Sequence, residues 1–195
     1  WEDPKPVAPT AADSPLRLLW VRDEPVVITP FSQTAIPVDI HWHQFEDKWD
    51  RFRCNGGTCA FCLAKRKQER LMLVPVFDPA AREILILPIP DDDVPGSLLA
   101  EIRTFFNPKS PHKLIQIVRL GKRRHVISAM PTENLDLGVD IIRELVDRMN
   151  AISAAELTEY YRGSYQSVSN ATLLRDYPEL KRTVEIHNPT LDLSQ

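Results

Sequence analysis

The 195-residue sequence predicts a mainly β protein with helices: an OB-fold-like β-barrel carrying a metal-binding knuckle, with a helical C-terminal extension. Three observations lead there. Short apolar runs separated by turn residues fill the first two thirds of the chain, as expected for a small barrel. From residue 136 the apolar period lengthens to that of a helix. All the cysteines, Cys54, Cys59 and Cys62, fall within one nine-residue stretch.

The elements follow in order. Residues 1 to 15, "WEDPKPVAPTAADSP", are rich in proline and small residues and read as an extended lead-in. The chain opens on Trp1, which is expected of a piece of a longer protein. "LRLLWV" (16 to 21) and "PVVITPF" (25 to 31) read as strands. In "VDIHWHQF" (38 to 45), Val38, Ile40 and Trp42 alternate with Asp39, His41 and His43, the period of a strand. Glu46-Asp47 forms a hairpin turn into "KWDRFRC", which ends at Cys54. "RLMLVPVF" (70 to 77) and "EILILPI" (83 to 89) form a second hairpin around "DPAAR", and their near-continuous apolar character predicts burial.

"DDDVPGSLLAEIRTFF" predicts a helix with an aspartate cap, carrying Leu98, Leu99, Ile102, Phe105 and Phe106, and Pro108 ends it. "HKLIQIVRLGKRRHVISAM" predicts a hairpin turning at Gly121-Lys122. Leu137, Ile141, Leu145, Val146 and Met149 mark an amphipathic helix, and "SAAELTEYYRG" a second one closed by Gly163. The division is therefore a lead-in at 1 to 15, a barrel domain at 16 to 130, and a helical extension with a C-terminal segment at 131 to 195. The last thirty residues carry no clear pattern.

Composition narrows the function classes. A hydrophobic share of 43% with 26% charged residues is ordinary for a soluble protein. No apolar run reaches bilayer length and no secretory signal pattern is visible, so no membrane partner is expected. An odd number of clustered cysteines is not a disulfide framework, which predicts a reducing, cytoplasmic setting. The net charge is −3, but the cations are segregated. Lys48, Arg51, Arg53, Lys65, Arg66, Lys67 and Arg70 face only Asp50 and Glu69 in their stretch, and Lys109 to Arg124 contains no acid. Such segregation can build a positive face on an acidic protein. No nucleophile–base–acid set or phosphate-binding glycine loop is visible, so no catalysis is expected.

Cys54, Cys59 and Cys62 predict a metal knuckle, with Gly56-Gly57 freeing the backbone for the bend. Zinc takes four tetrahedral sulfur or nitrogen ligands, so three cysteines require one more. Pairing across Glu46-Asp47 sets His41 opposite Phe52 and His43 opposite Asp50. His41 and Cys54 then share a face two residues apart across the ladder, which makes His41 the fourth ligand and His43 the reserve. A thioredoxin-like redox pair at Cys59-Ala60-Phe61-Cys62 would need a βαβ context and would leave Cys54 unexplained. The histidine-x-glutamate pattern of zinc deaminases is absent, so one structural zinc is expected.

His41, twelve residues, Cys54, then a Cys-x-x-Cys at Cys59 and Cys62 resembles the zinc region of the single-stranded DNA-binding proteins of T-even phages and their relatives. "HWHQFEDKWDRFRC", with Lys48-Trp49 after the turn, and "AKRKQERLMLVPVFDPAAREILILPI" extend the resemblance over roughly residues 26 to 130. The four-residue spacer between Cys54 and Cys59 is shorter than in the T-even type, and no basic arm is visible in residues 1 to 15. The resemblance implies an OB-fold that coats single-stranded DNA in replication, recombination or repair, with replication or recombination proteins as further partners.

Such binding needs cations for phosphates and flat side chains for bases. Alternation along 48 to 54 sends Trp49, Arg51 and Arg53 to one side, and Lys48, Asp50, Phe52 and Cys54 to the other. Trp49, Arg51 and Arg53 are thus the expected stacking-plus-cation set, joined by Lys48, Lys65 and Arg66. Arg119, Lys122, Arg123 and Arg124 form a second contact group at the basic hairpin. RNA is a close variant, since stacking and phosphate contacts barely distinguish the sugars. The alternative class is a zinc-stabilised protein–protein interaction module using the acidic helices of 136 to 161.

Overall fold

Two hairpins of unlike character build the centre of the molecule. In the computed structural model, which describes residues 17–30, 35–45, 48–81, 83–92, 94–105, 114–121, 124–131, 147 and 154–190, the strands are β1 (Val26–Pro30), β2 (Ile36–Phe45), β3 (Lys48–Arg53), β4 (Gln68–Asp78), β5 (Glu83–Pro90), β6 (Ile115–Arg119) and β7 (His125–Ala129). All strand pairs are antiparallel, in the order β3-β2-β4-β1-β6-β7, with β5 on the other edge of β4. Among the described residues β3 and β7 do not pair, so the sheet is open rather than closed into a barrel.

The long strand β4 organises this sheet. Along one edge it pairs first with β2, from His41↔Gln68 to Ile36↔Leu73, and then with β1 at Pro30↔Val76 and Thr29↔Phe77. Pro75, which has no N–H to donate, falls between the two registers, where that edge requires no ladder bond. The apolar runs of β4 and β5 are continuous because both of their faces are covered. Val74, Val76, Leu85, Leu87 and Ile89 face a core closed by helix α2 (Leu98–Arg103) through Leu98, Leu99 and Ile102. Leu71, Leu73 and Ile86 face the opposite core with Ile36, Val38 and Ile40 of β2, closed by Tyr161 of α3 (Ala154–Arg162) and by Tyr165.

Two expectations are corrected. "LRLLWV" is not a strand but a single parallel bridge, Leu18↔Ile86, with Leu19 N–H donating to the Ile86 carbonyl at 2.8 Å. Only one rung forms, and Leu18 and Trp20 serve the second core as side chains. The cap of α2 is Ser97 rather than an aspartate: its Oγ accepts from Ala100 N–H at 3.2 Å and donates to the Asp92 carbonyl at 2.6 Å. Gly96 at φ +83 turns the chain into that cap, and the helix starts after it.

The C-terminal segment, patternless in the sequence, folds into α4 (Asn170–Asp176) and α5 (Pro178–His187). Ser169 caps α4, and Pro178 opens α5 at a position where a missing N–H is tolerated. Leu173, Leu180 and Val184 pack into a third core with Phe52, Phe61, Ala60 and Ala64. The extended lead-in at 1 to 15, the Gly121-Lys122 turn beyond Gly121, Phe106, and the helix expected around Leu137 to Met149, save residue 147, lie outside the described residues.

Candidate metal centre

The hairpin β2–β3 adopts the register that a two-residue turn dictates: His41↔Phe52, Trp42↔Arg51, His43↔Asp50 and Gln44↔Trp49. His41 and His43 therefore share one face with Phe52, and Trp42, Trp49 and Arg51 share the other.

On the first face the chain leaves β3 at Cys54, turns through Gly56 at φ +93, and enters the one-turn helix α1 (Ala60–Leu63). Cys59 N–H donates to the Gly56 carbonyl at 2.9 Å, which closes the turn and sets Cys59 and Cys62 on the same side as Cys54. Lys65, in the left-handed region at φ 54, then returns the chain to β4. The result gathers the His41 ring nitrogen and the sulfurs of Cys54, Cys59 and Cys62 within 4.8 Å of one another. Cys62 Sγ lies 3.5 Å from Cys54 Sγ and 3.3 Å from His41 Nε2. A tetrahedron drawn with metal–sulfur bonds of about 2.3 Å has edges of about 3.8 Å, so the spacing and the donor set both fit one metal ion.

The surroundings prepare these donors. His41 Nδ1 lies 3.1 Å from the Lys67 carbonyl, which can only accept, so Nδ1 carries a proton and Nε2 is turned to the sulfurs. The His41 ring stacks on Phe61 at 5.3 Å between centroids, and both residues are fully buried. Burial pushes the Cys59 thiol up, but contact with the His41 ring and hydrogen bonds from the backbone of Asn55, Cys62 and Phe61 outweigh it and bring it down to about 6. Cys62 goes the other way, to about 12, through burial and then through the adjacent Cys54 and Cys59 sulfurs. Without a cation, the first thiolate opposes the next. A divalent ion removes that opposition, and metal binding would release the remaining protons. All three cysteines are free of disulfides.

His43 is not part of this group. Its Nε2 lies 3.0 Å from Glu179 Oε1 of α5, and its ring meets Tyr177 edge-on at 4.7 Å.

On the second face, Trp49 is 58% exposed, the largest open aromatic surface among the described residues. Arg51 lies with its guanidinium carbon 4.3 Å from the Trp20 ring and 5.0 Å from the Trp42 ring, and its Nη1 has no hydrogen-bond partner among the described residues. Trp42 Nε1 donates to Glu69. Arg53 stands 4.0 Å from Glu159, which Arg162 also engages at 3.1 Å. Lys65 and Arg66 are exposed on the knuckle. The structure thus brings Trp49, Arg51 and Arg53 together on one face and adds Trp20, which the sequence reading missed. The single-rung pairing of Leu18 places Trp20 there, and no local pattern announces it.

The second cationic group lies at the far end of the sheet order from β3. Arg119 is half-buried, its Nε donating to the Gly121 carbonyl at 2.9 Å, and Arg124 is exposed. Lys122, Arg123 and the Lys48 side chain lie outside the described residues.

No protein-family model and no curated protein matches the chain. Among the described residues, no helix is long and apolar enough to cross a membrane.

Proposed function

We propose that this protein binds single-stranded DNA without sequence preference, on an OB-fold-like β-domain whose knuckle is held by one structural zinc. The observation that carries the reading is the division of labour in one hairpin. One face gives His41 and Cys54 to the metal group, and the other presents Trp49 beside Arg51 and Arg53. Zinc is the ion that three thiolates and one imidazole favour, and four protein donors leave no open coordination position for catalysis. On this reading the zinc has no catalytic role. The protein works in an intracellular, reducing compartment, where thiolates persist, alongside replication or recombination proteins.

An exposed indole offers a stacking surface, and the neighbouring guanidiniums offer phosphate contacts. The Trp20–Arg51–Trp42 stack supports the reading because it holds Arg51 on the face that carries Trp49. Stacking one base is worth about 1–3 kcal/mol, so Trp49→Ala should weaken oligo(dT) binding about ten-fold with the fold intact. Fluorescence anisotropy at low and at raised salt measures this, with duplex DNA and oligo(U) as competitors. Undiminished affinity in Trp49→Ala, or no binding of the parent protein at low salt, would sink the reading. Preference for oligo(U) would move it to RNA, and recovery of a stoichiometric protein partner with no nucleic acid would move it to a protein-interaction module.

A further inference from the structure

The third core lies between the metal knuckle and the C-terminal helices, and most of its polar contacts fall on the loop from Cys54 to Leu63, the loop that the metal ligands shape. Two others come from the β2–β3 hairpin: Arg53 N–H donates to the Gln166 carbonyl at 3.0 Å, and His43 Nε2 lies 3.0 Å from Glu179. Asn55 Nδ2 donates to the Val168 carbonyl at 2.9 Å. Asn170 binds the loop twice, its Oδ1 accepting from Ala60 N–H at 2.9 Å and its Nδ2 donating to the Thr58 carbonyl at 2.7 Å. Asn188, at the far end of α5, donates to the Leu63 carbonyl at 2.9 Å.

The contacts made by Asn170 and Asn188 use backbone groups of a segment with little regular structure of its own. The loop consists of a glycine turn and a single turn of helix, too short to persist unaided. Its shape depends on whatever ties Cys54, Cys59 and Cys62 to His41. Part of the apolar contact has the same dependence, since Phe61 stacks on the His41 ring and packs with Leu173, Leu180 and Val184, while Phe52 of β3 meets Tyr177 directly at 5.8 Å. By contrast, the two sheet cores are closed by α2, Tyr161 and Tyr165 and draw nothing from the ligand loop.

We infer that the metal group is a latch for the C-terminal helix pair: occupancy of His41, Cys54, Cys59 and Cys62 fixes the loop on which α4 and α5 dock, and loss of the metal releases residues 166 to 190 while the sheet stays folded. The inference rests on the zinc reading above but not on nucleic-acid binding. Linkage makes it reciprocal, so a docked helix pair also tightens the hold on the metal.

The test is hydrogen–deuterium exchange on the full chain, zinc-loaded, chelator-treated with the metal content measured, and reloaded with zinc(II). Amides of 166 to 190 should exchange at least about ten-fold faster after chelation, with those of β4 and β5 unchanged, and reloading should restore them. Trypsin should then cut at Arg175, Lys181 and Arg182, which are exposed on the two helices. Asn170→Ala with Asn188→Ala, which touches no ligand, should loosen the helices in the loaded protein and weaken zinc binding about ten-fold. A zinc-free chain that keeps 166 to 190 protected overturns the inference, as does one whose β4 and β5 open equally, since the metal would then staple the entire fold. A chain that takes up no zinc overturns the zinc reading itself; zinc uptake without any change at 166 to 190 overturns the latch alone.

Discussion

His41 and His43 stand two residues apart on the same face of β2, and the fold separates their roles through what packs over each. His41 lies over the knuckle, with Nδ1 on the Lys67 carbonyl and Nε2 among the sulfurs. His43 is one step nearer the turn and meets Glu179 and Tyr177 instead. The two alanine variants should therefore differ in kind. His41→Ala should take the zinc content well below one ion per chain. His43→Ala should leave the content at one and lower unfolding stability by about 2 kcal/mol, from lost packing and an unpaired Glu179 contact. Atomic spectroscopy of the purified variants and urea titration measure the two effects, and loss of metal in His43→Ala would reverse the assignment. The same face rule governs Arg51. Its register opposite Trp42 was legible in the sequence, but the indole of Trp20 above it was not, because Trp20 arrives by a long-range contact.

Among the elements, legibility followed the strength of local rules. The β2–β3 register was readable because strand period and a two-residue turn fix every cross-strand pair together. The β4–β5 hairpin was readable as well, since two-sided burial leaves an unbroken apolar run. The helices α4 and α5 were not, because each is short and the Tyr177-Pro178 break interrupts their apolar spacing of Leu173, Leu180 and Val184. Their caps, Ser169 and Pro178, were the available signals. The start of α2 shows the opposite failure, in which a run of aspartates drew attention from the serine that caps it. Ser97 is buried and its hydroxyl makes two hydrogen bonds, one to the helix and one to the loop before it. Ser97→Ala should cost about 1–2 kcal/mol in urea unfolding, while Ser97→Asn, which can still cap, should recover part of that. An unchanged Ser97→Ala midpoint would show that Gly96 and the Leu98–Ile102 packing define the helix start without the cap.

At the scale of the whole molecule, the question is how a chain of net charge −3 could hold a polyanion. Attraction has to be local, and two groups of described cations lie at opposite ends of the strand order. Arg51 and Arg53 lie on β3, and Arg119 and Arg124 flank the β6–β7 turn. Along a flat sheet, β3 and β7 would be five inter-strand steps apart, or about 24 Å. Sheet twist of about 20–25° per step, and the division of β1 between β4 and β6, bend that path. A short nucleic acid strand held at Trp49 would then be unable to touch the second group, whereas a long one following the sheet would reach it. Arg119→Ala with Arg124→Ala should therefore leave binding of an oligo(dT) of about 4 nucleotides unchanged. For one of about 16 nucleotides, it should lower affinity and reduce the salt slope by about one to two phosphate contacts. Trp49→Ala should weaken both lengths. If the arginine pair mattered equally for the short oligonucleotide, the sheet would have to curl until its ends meet. If it mattered for neither, the strand would run across the knuckle by way of Lys65 and Arg66 instead.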